Sequence, residues 1–385
     1  MKDKLKNKDS VRLNNSYLAK GLEGVVVKET TISMVDGVNG VLIYRGYDVK
    51  ELAEYSNFEE VAFLIYNGYL PTFKELTIFQ KKLREYKYLD KKYIDFLQII
   101  SEAHDYMDIL KIAVAYIGAL ENEKDDIFNI SCRLVSIMPM ILSYSYRIKN
   151  KLPIIEPSDK LTHIENFYYM FHGKLPEDDI KKALDISMIL HAEQGINAST
   201  FSALVISSSM TDIYSAISGA IGCLKGYLHG GANRKVLDML DEVGSVENVS
   251  EYVENCIKNK KRVMGFGHRI YKTYDPRSIV LKKIATNLSK KYSSKYLDIA
   301  IKMEEEVVKR LGPKKIFPNV DFYSGIVYDM LGFPSEVFTP LFAVARIVGW
   351  TAHIMEYRKD NRIFRPVAKY TGPENLKYVP IEERG

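Results

Sequence analysis

Cysteine is scarce in this chain of 385 residues: only Cys132, Cys223 and Cys256 occur, far apart in the sequence. No CxxC pair is present, so the sequence favours neither a disulfide framework nor a zinc site, and a reducing compartment is expected. A long hydrophobic run is also missing, because the nearest candidate, residues 201–228, is interrupted by Asp212 and by a serine triplet. The lysine-rich N-terminus lacks the apolar segment of a signal peptide. We therefore expect a cytoplasmic protein that neither spans a membrane nor holds a metal ion.

Positive and negative charges nearly balance in this sequence. The 54 Lys and Arg residues and the 49 Asp and Glu residues leave a formal charge of only +5, spread along the chain. Nucleic-acid binding needs a clustered basic face, so this class of function is not favoured, whereas anionic small molecules remain suitable ligands. A chain of this length buries a large core, and we expect it to form two domains.

Most of the sequence is typical of α-helices. Residues 108–120 and 127–146 are strongly apolar and too long for strands, and residues 200–228 predict one or two buried helices. Thr72 followed by Glu75 is the pattern of a capping box, which predicts the start of another helix. The fold class is therefore mainly α.

A small exception is predicted near the N-terminus. Residues 25–33 are β-prone, and a second β-prone run follows at residues 41–44. Between them, Asp36-Gly37 and Asn39-Gly40 supply turn signals. The pattern predicts one β-hairpin formed by these two runs.

Three stretches of the chain combine glycine with a histidine, an aspartate or both. These are residues 226–233 around His229, 264–277 around His268 and 319–325 around Asp321. A carboxylate can accept a proton from carbon, an imidazole can donate to a carbonyl oxygen, and arginines bind carboxylates. Removal of a proton beside a thioester, followed by attack on a keto acid, needs all of these groups. Spacing in the sequence does not by itself bring them together.

Four blocks of sequence carry a resemblance to a known family. They read His191-Ala-Glu-Gln-Gly-Ile-Asn-Ala-Ser-Thr-Phe201, Leu228-His-Gly-Gly-Ala-Asn233, Gly265-Phe-Gly-His-Arg-Ile-Tyr-Lys-Thr-Tyr-Asp-Pro-Arg277 and Asn319-Val-Asp-Phe-Tyr-Ser-Gly325. With these blocks in this order, the chain resembles citrate synthase, and most of all the short dimeric type of archaea and bacteria that includes the 2-methylcitrate synthases. The resemblance implies a citrate synthase-like two-domain helical fold with a small N-terminal β-hairpin. A large domain of residues 1–221 and 331–385 and a small catalytic domain of residues 222–330 would close over the substrates.

The resemblance implies a role for each of three central side chains. Asp321 matches the base that takes a methyl proton from acetyl-CoA, His229 the group that donates to the thioester oxygen, and His268 the group that protonates the oxaloacetate carbonyl. The implied reaction is the condensation of acetyl-CoA with oxaloacetate and water to citrate and CoA, a step of the tricarboxylic acid cycle. It implies no cofactor, because the CoA thioester is a substrate.

Further positions match the family's substrate contacts. For oxaloacetate they are Arg277 and Arg346 as carboxylate clamps, Arg365 contributed across the interface of a homodimer, and His191 and Gln194. His191 is equally suited to orienting its loop. For CoA the matching residues are Arg269, Lys272, Lys314, Lys315 and Asn319. The two adjacent lysines also fit a plain solvated charge pair at a helix end.

The sequence departs from the family pattern at two positions. Gln194 stands where a histidine is usual, and Tyr227 stands where a proline is usual. Glutamine can still donate a hydrogen bond but carries no charge. Condensation of propionyl-CoA to 2-methylcitrate stays open, because one methylene changes binding by only about 1–3 kcal/mol. A non-catalytic paralogue that binds CoA esters also stays open.

Overall fold

The structure is a computed structural model that describes residues 18–121 and 126–385. These residues contain sixteen α-helices and one small antiparallel sheet, which confirms the expected mainly α fold. The first eight helices are α1 (Val49–Tyr55), α2 (Phe58–Asn67), α3 (Phe73–Glu85), α4 (Lys91–Ile100), α5 (Tyr106–Leu120), α6 (Ile127–Lys149), α7 (His163–His172) and α8 (Asp178–Ala192). The others are α9 (Ala198–Ser207), α10 (Ile213–Lys225), α11 (Ala232–Val243), α12 (Val249–Lys258), α13 (Pro276–Leu288), α14 (Leu297–Leu311), α15 (Val320–Met330) and α16 (Phe338–Tyr357).

The sheet near the N-terminus confirms the predicted hairpin but corrects its first strand. Its strands are β1 (Ser33–Asp36), β2 (Val41–Tyr44) and β3 (Tyr47–Asp48), paired in that order. Only Ser33 of the β-prone run 25–33 is in a strand. The turn fixes the register by pairing Asp36 with Val41, and the ladder extends only four residues from it. Ile32 is buried in the core instead of continuing the strand.

The core is built by long apolar helices. α16 packs against α6, α8, α9 and α10 and is almost wholly buried. Among the described residues, Ile127–Lys149 and Ser335–Asp360 are long and apolar enough to cross a membrane, but 78% and 94% of their apolar windows are buried inside the protein. Core helices of soluble proteins have the same composition, so these two are weak evidence for a membrane span.

The helices nearest the predicted site begin at recognisable caps. The Asp275 carboxylate accepts the backbone N–H of Arg277, and Pro276 occupies the first position of α13. Asn319 accepts the backbone N–H of Asp321 at 3.0 Å and caps α15. These caps place Arg277 and Asp321 in the first turns of their helices.

The structure divides into two compact units. One is Thr30–Arg362, and the other contains the described residues up to Glu29 together with Ile363–Gly385. This division does not test the expected small catalytic domain of residues 222–330, which stays a prediction. All three cysteines are free thiols. Within the described ranges, no three His, Cys, Asp or Glu side chains are grouped so that they could hold a metal ion.

Candidate active site

Asp321 lies in the first turn of α15, directly against the loop that carries His268. The backbone N–H of Asn319, the residue that caps this helix, donates to the carbonyl of Gly265 at 2.9 Å. Gly265 has a φ of +77°, and a Cβ built on it would lie 2.8 Å from the Cα of Phe322. Because glycine has no Cβ, it can adopt this positive φ and also allow the close approach of Phe322. The loop and the helix therefore pack together without a gap.

Asp321 is half-buried as a residue, and its carboxylate has no hydrogen-bond partner among the described residues. Burial raises its pKa to about 7, although Arg277 and Arg346 favour the ionised form. The negative charge of Asp275 adds to the rise. A carboxyl group with a pKa near 7 is about half ionised at neutral pH, which suits a base that takes a proton from carbon.

His229 lies in the turn before α11, and its neutral tautomer is fixed by Ser199. The Ser199 backbone N–H donates to Nε2 at 3.2 Å, so Nε2 is unprotonated and Nδ1 carries the ring proton. The Ser199 hydroxyl lies 2.9 Å from the same nitrogen and accepts the indole N–H of Trp350 at 3.1 Å. Burial, with the charge of Arg346, lowers the pKa of His229 to about 4. Nδ1–H is therefore a neutral donor at pH 7.

His268 has the opposite tautomer. Its Nδ1 accepts two backbone N–H groups, from Ile270 at 3.1 Å and from Tyr271 at 3.0 Å, so Nε2 carries the proton. Burial, with the charge of Arg277, lowers the pKa of His268 to about 4. Both imidazoles are partly exposed, and each has one N–H that these contacts leave unused.

Arg277 is buried and forms a bidentate pair with Asp275. Nε donates to Oδ1 at 3.0 Å and Nη2 donates to Oδ2 at 2.7 Å. The same carboxylate accepts the backbone N–H of Val320 at 3.2 Å, which ties the start of α13 to the start of α15. Although burial opposes ionisation, Arg277 holds the pKa of Asp275 below its ordinary value. The two N–H groups on Nη1 of Arg277 lie outside this pair.

Arg346 on α16 is a buried cation with a donor to spare. Its Nε donates to the carbonyl of His191 at 2.6 Å, and its guanidinium carbon lies 4.5 Å from the centre of the Phe342 ring. Nη2 is buried and has no hydrogen-bond partner among the described residues. Burial lowers the pKa of Arg346 to about 10, so it stays charged at pH 7. An unsatisfied charged donor in the interior marks a place for an anionic group.

His191 and Gln194, at and just beyond the end of α8, are also buried with one polar atom unused. Nδ1 of His191 donates to the carbonyl of Ser187 at 2.7 Å, and Nε2 has no partner in the described structure. Burial, opposed by the Ser187 carbonyl, lowers the pKa of His191 to about 3. Nε2 of Gln194 donates to the Tyr271 hydroxyl at 3.2 Å, while Oε1 is unpartnered. Gln194 thus supports the loop of His268 and keeps an acceptor for a ligand.

Electrostatic interactions join these predicted residues into one cluster. Arg277 affects the pKa values of Asp321, His268 and His191. Arg346 affects those of Asp321, His229 and His191. The predicted catalytic side chains therefore share their surroundings with the predicted carboxylate clamps.

Four residues of the cluster received no role from the sequence: Ser199, Tyr271, Asp275 and Trp350. Asp275 had a local signal, because an acidic residue followed by proline is typical of a helix start. The others act on partners far along the chain, such as Ser199 on a histidine 30 positions away. No spacing rule reveals contacts of that kind.

The predicted CoA-binding residues lie on or beside two paired segments. The backbone of residues 265–267 pairs with that of residues 317–319. Four exposed basic side chains flank these segments: Arg269, Lys272, Lys314 and Lys315. Asn319 instead uses its amide to cap α15 and to donate to the Gly267 carbonyl at 2.8 Å. The basic side chains suit an anionic ligand, whereas Asn319 holds the segments together.

Arg365 belongs to the unit that contains Ile363–Gly385. Its guanidinium is exposed, and Nη1 donates to the carbonyl of the neighbouring Pro366 at 3.2 Å. Its contribution across a dimer interface stays a prediction.

Fold and cluster together define a class of protein: a mainly helical protein that groups a carboxyl group, two imidazoles and two buried arginines, and comparison with known proteins identifies its family. The family described as "Citrate synthase, C-terminal domain" matches residues 21–367. The citrate synthase of Synechocystis sp. is 43% identical over 378 residues, which cover 96% of this chain and 95% of the relative. The 2-methylcitrate synthase of Mycobacterium tuberculosis is 39% identical, with 93% and 91% covered.

Solved structures give the same result. The citrate synthase of Thermotoga maritima matches with a TM-score of 0.89 and 46% identity, covering 96% of this chain and all of that one. The enzyme of Thermoplasma acidophilum, in a ternary complex with carboxymethyl coenzyme A and oxaloacetate, matches with a TM-score of 0.91 and 36% identity over 96% of this chain. The chain belongs to the citrate synthase family, whose members are acyltransferases that use an acyl-CoA and oxaloacetate.

Proposed function

We propose that the protein condenses acetyl-CoA with oxaloacetate and water to give citrate and CoA. The observation that carries this proposal is the combination of a carboxyl group of pKa about 7, Asp321, with two neutral imidazoles of opposite tautomer. A base of this strength and two uncharged N–H donors are what enolisation of a thioester and attack on a ketone require. The proposal includes no cofactor, because the thioester is itself a substrate.

In the proposed mechanism, Asp321 takes a proton from the methyl carbon while Nδ1–H of His229 donates to the thioester oxygen. The enol carbon then attacks the keto carbon of oxaloacetate. Nε2 of His268 transfers its proton to the keto oxygen, which becomes the hydroxyl group of citryl-CoA. Solvent then reprotonates the ring and accepts the proton that Asp321 removed. Water cleaves the thioester and releases CoA. Neutral imidazoles suit both donor roles, because their pKa values of about 4 leave the rings uncharged at pH 7.

We propose that Arg277 and Arg346 bind the carboxylates of oxaloacetate, with His191 and Gln194 beside them. Arg346 offers its unpartnered Nη2, and Arg277 offers the N–H groups that Asp275 does not use. For CoA, the four exposed basic residues around the paired segments supply charge for its phosphates, and Asn319 acts by holding those segments.

Charge balance supports a further cation from a second copy of the chain. The negative charge of Asp275 already offsets the positive charge of Arg277. The buried carboxylate of Glu193 likewise offsets the charge of Arg346. Oxaloacetate brings two more negative charges into this site. Arg365 from the partner in a homodimer would offset one of them, as the sequence resemblance implies.

The acyl chain is the finer point of the proposal, because a 2-methylcitrate synthase is among the relatives. Thiol release from acetyl-CoA and from propionyl-CoA, each with oxaloacetate, separates the two. We expect kcat/KM to be at least about tenfold higher for acetyl-CoA, the lower end of what one methylene changes. A preference for propionyl-CoA would favour 2-methylcitrate formation, and no release from either would favour the non-catalytic paralogue.

A further inference from the structure

A groove separate from the acid–base cluster lies where α1, α8 and α13 meet. Its volume is about 720 Å³, within the range of about 300–1,000 Å³ that is usual for small-molecule sites. No residue proposed above to touch a substrate lines it.

The floor of this groove is apolar. Ile186, Ile284 and Leu288 form part of it and are almost completely buried. Ile279, on the same wall as Ile284, keeps 49% of its surface exposed. A ligand with a hydrocarbon chain would bury this exposed isoleucine surface against the concave apolar floor, and burial of apolar surface favours binding.

The rim is cationic. Its charged members are Lys50, Glu54, Asp179, Lys182, Lys283, Lys290 and Lys291, which give this lining a formal charge of +3 against +5 for the whole chain. Lys291 is already paired with Glu177 and Asp179. Lys182 and Lys283 are exposed and have no ion-pair partner among the described residues. Their charges are therefore available to an anion.

We propose that this groove binds a single-chain amphiphilic anion, namely an alkyl carboxylate of the fatty-acid type. The alkyl chain would lie on the isoleucine and leucine floor, and the carboxylate would meet the unpaired lysines of the rim. Charge complementarity and the exposed apolar surface of Ile279 select this chemistry over a purely polar anion, which would leave that surface uncovered.

The helices that form the groove also carry residues of the acid–base cluster. α8 contains His191 near its end, and α13 contains Arg277 in its first turn. A ligand that binds one spacing of these helices better than another shifts the protein toward that spacing. Resting on the function proposed above, we expect a saturating ligand to change KM for oxaloacetate.

Calorimetric titration of the full-length protein with decanoate, below its micelle concentration, tests the site without turnover. We expect one saturable site, with binding at least about tenfold weaker for hexanoate and for decyltrimethylammonium. The double variant Lys182→Glu/Lys283→Glu should weaken decanoate binding at least about tenfold. Lys258→Glu/Lys309→Glu, which alters exposed lysines of α12 and α14, is the matched control and should bind as the wild type does.

Equal affinity of both double variants for decanoate, or equally tight binding of the cationic amphiphile, would overturn the site. An unchanged KM for oxaloacetate in the decanoate-saturated protein would overturn the coupling alone. An inactive protein that still binds decanoate with this selectivity would count against the proposed function and support the groove.

Discussion

The raised pKa of Asp321 suits its proposed role as a base but lowers the stability of the folded protein at high pH. Burial raises its pKa from 3.8 to about 7, so the folded chain holds the proton more tightly than the unfolded chain between these values. Stability therefore falls as pH rises through this window. Asp321→Asn removes the titration, and we expect its Tm to exceed that of the wild type at pH 8 by more than at pH 5.

Melting curves of Asp321→Asn and of a surface control, Asp238→Asn, measure this difference. The control carboxylate is exposed on α11 and should leave Tm nearly unchanged at both pH values. A Tm difference for Asp321→Asn that does not depend on pH would contradict the raised pKa.

Asp275 stabilises the site through a buried ion pair. Removal of its charge leaves Arg277 buried without a counterion, and breaking a buried pair costs about 3–5 kcal/mol. We expect Asp275→Asn to lower the free energy of unfolding by that amount, measured by urea denaturation. Asp298→Asn, an exposed acid in the first turn of α14, is the matched control. Similar losses for the two variants would show that the pair contributes little.

At the scale of elements, the turn between β1 and β2 supports the loop of His268. The backbone N–H of Lys272 donates to the Gly37 carbonyl at 2.7 Å, and a Cβ on Gly37 would lie 2.3 Å from the carbonyl oxygen of Ile270. Ile270 in turn donates its N–H to His268. Gly37→Ala should therefore displace the imidazole and lower kcat about tenfold, since a misplacement of 1 Å costs up to about 10²-fold.

Steady-state kinetics on folded Gly37→Ala tests this support. Gly222→Ala on α10 is the control, because its Cβ would meet only Lys111 at 3.5 Å, an ordinary contact. It should retain wild-type kcat. An unchanged kcat in Gly37→Ala would mean that the loop keeps its position without the turn.

The helices were largely predictable, because apolar periodicity and caps are local properties of the sequence. The predictions for residues 108–120 and 127–146 correspond to α5 and α6, and Thr72 and Glu75 form the expected capping box. The predicted bounds of the first strand were wrong because strand pairing depends on the register set at the turn. A two-residue strand such as β3 is too short to leave a pattern.

The motifs led to the predicted site residues, several of which the structure groups into one cluster, but the motifs did not reveal the contacts between them. Gln194 meets Tyr271 across 77 positions, and the tautomer of His229 depends on a backbone N–H of another helix. Such contacts depend on how helices pack, which spacing within one segment does not determine.

At the scale of the whole molecule, the proposed contribution of Arg365 across a homodimer interface predicts that activity requires a dimer. Chains with Arg365→Ala and chains with Asp321→Asn should each be nearly inactive. After subunit exchange, each mixed dimer has one site with both residues intact, so an equal mixture should recover about a quarter of wild-type turnover. Thiol release after mixing, with exchange confirmed by a tagged chain, is the measurement. Without recovery, Arg365 serves its own subunit or no site at all.

Oxaloacetate-dependent thiol release by Asp321→Asn tests the central assignment most directly. If Asp321 removes the proton from the acyl-CoA methyl group, kcat should fall at least about 10²-fold while CoA binding stays close to that of the wild type. Asp238→Asn should turn over as the wild type does. Near-wild-type kcat in folded Asp321→Asn would contradict the assignment of Asp321 as the base.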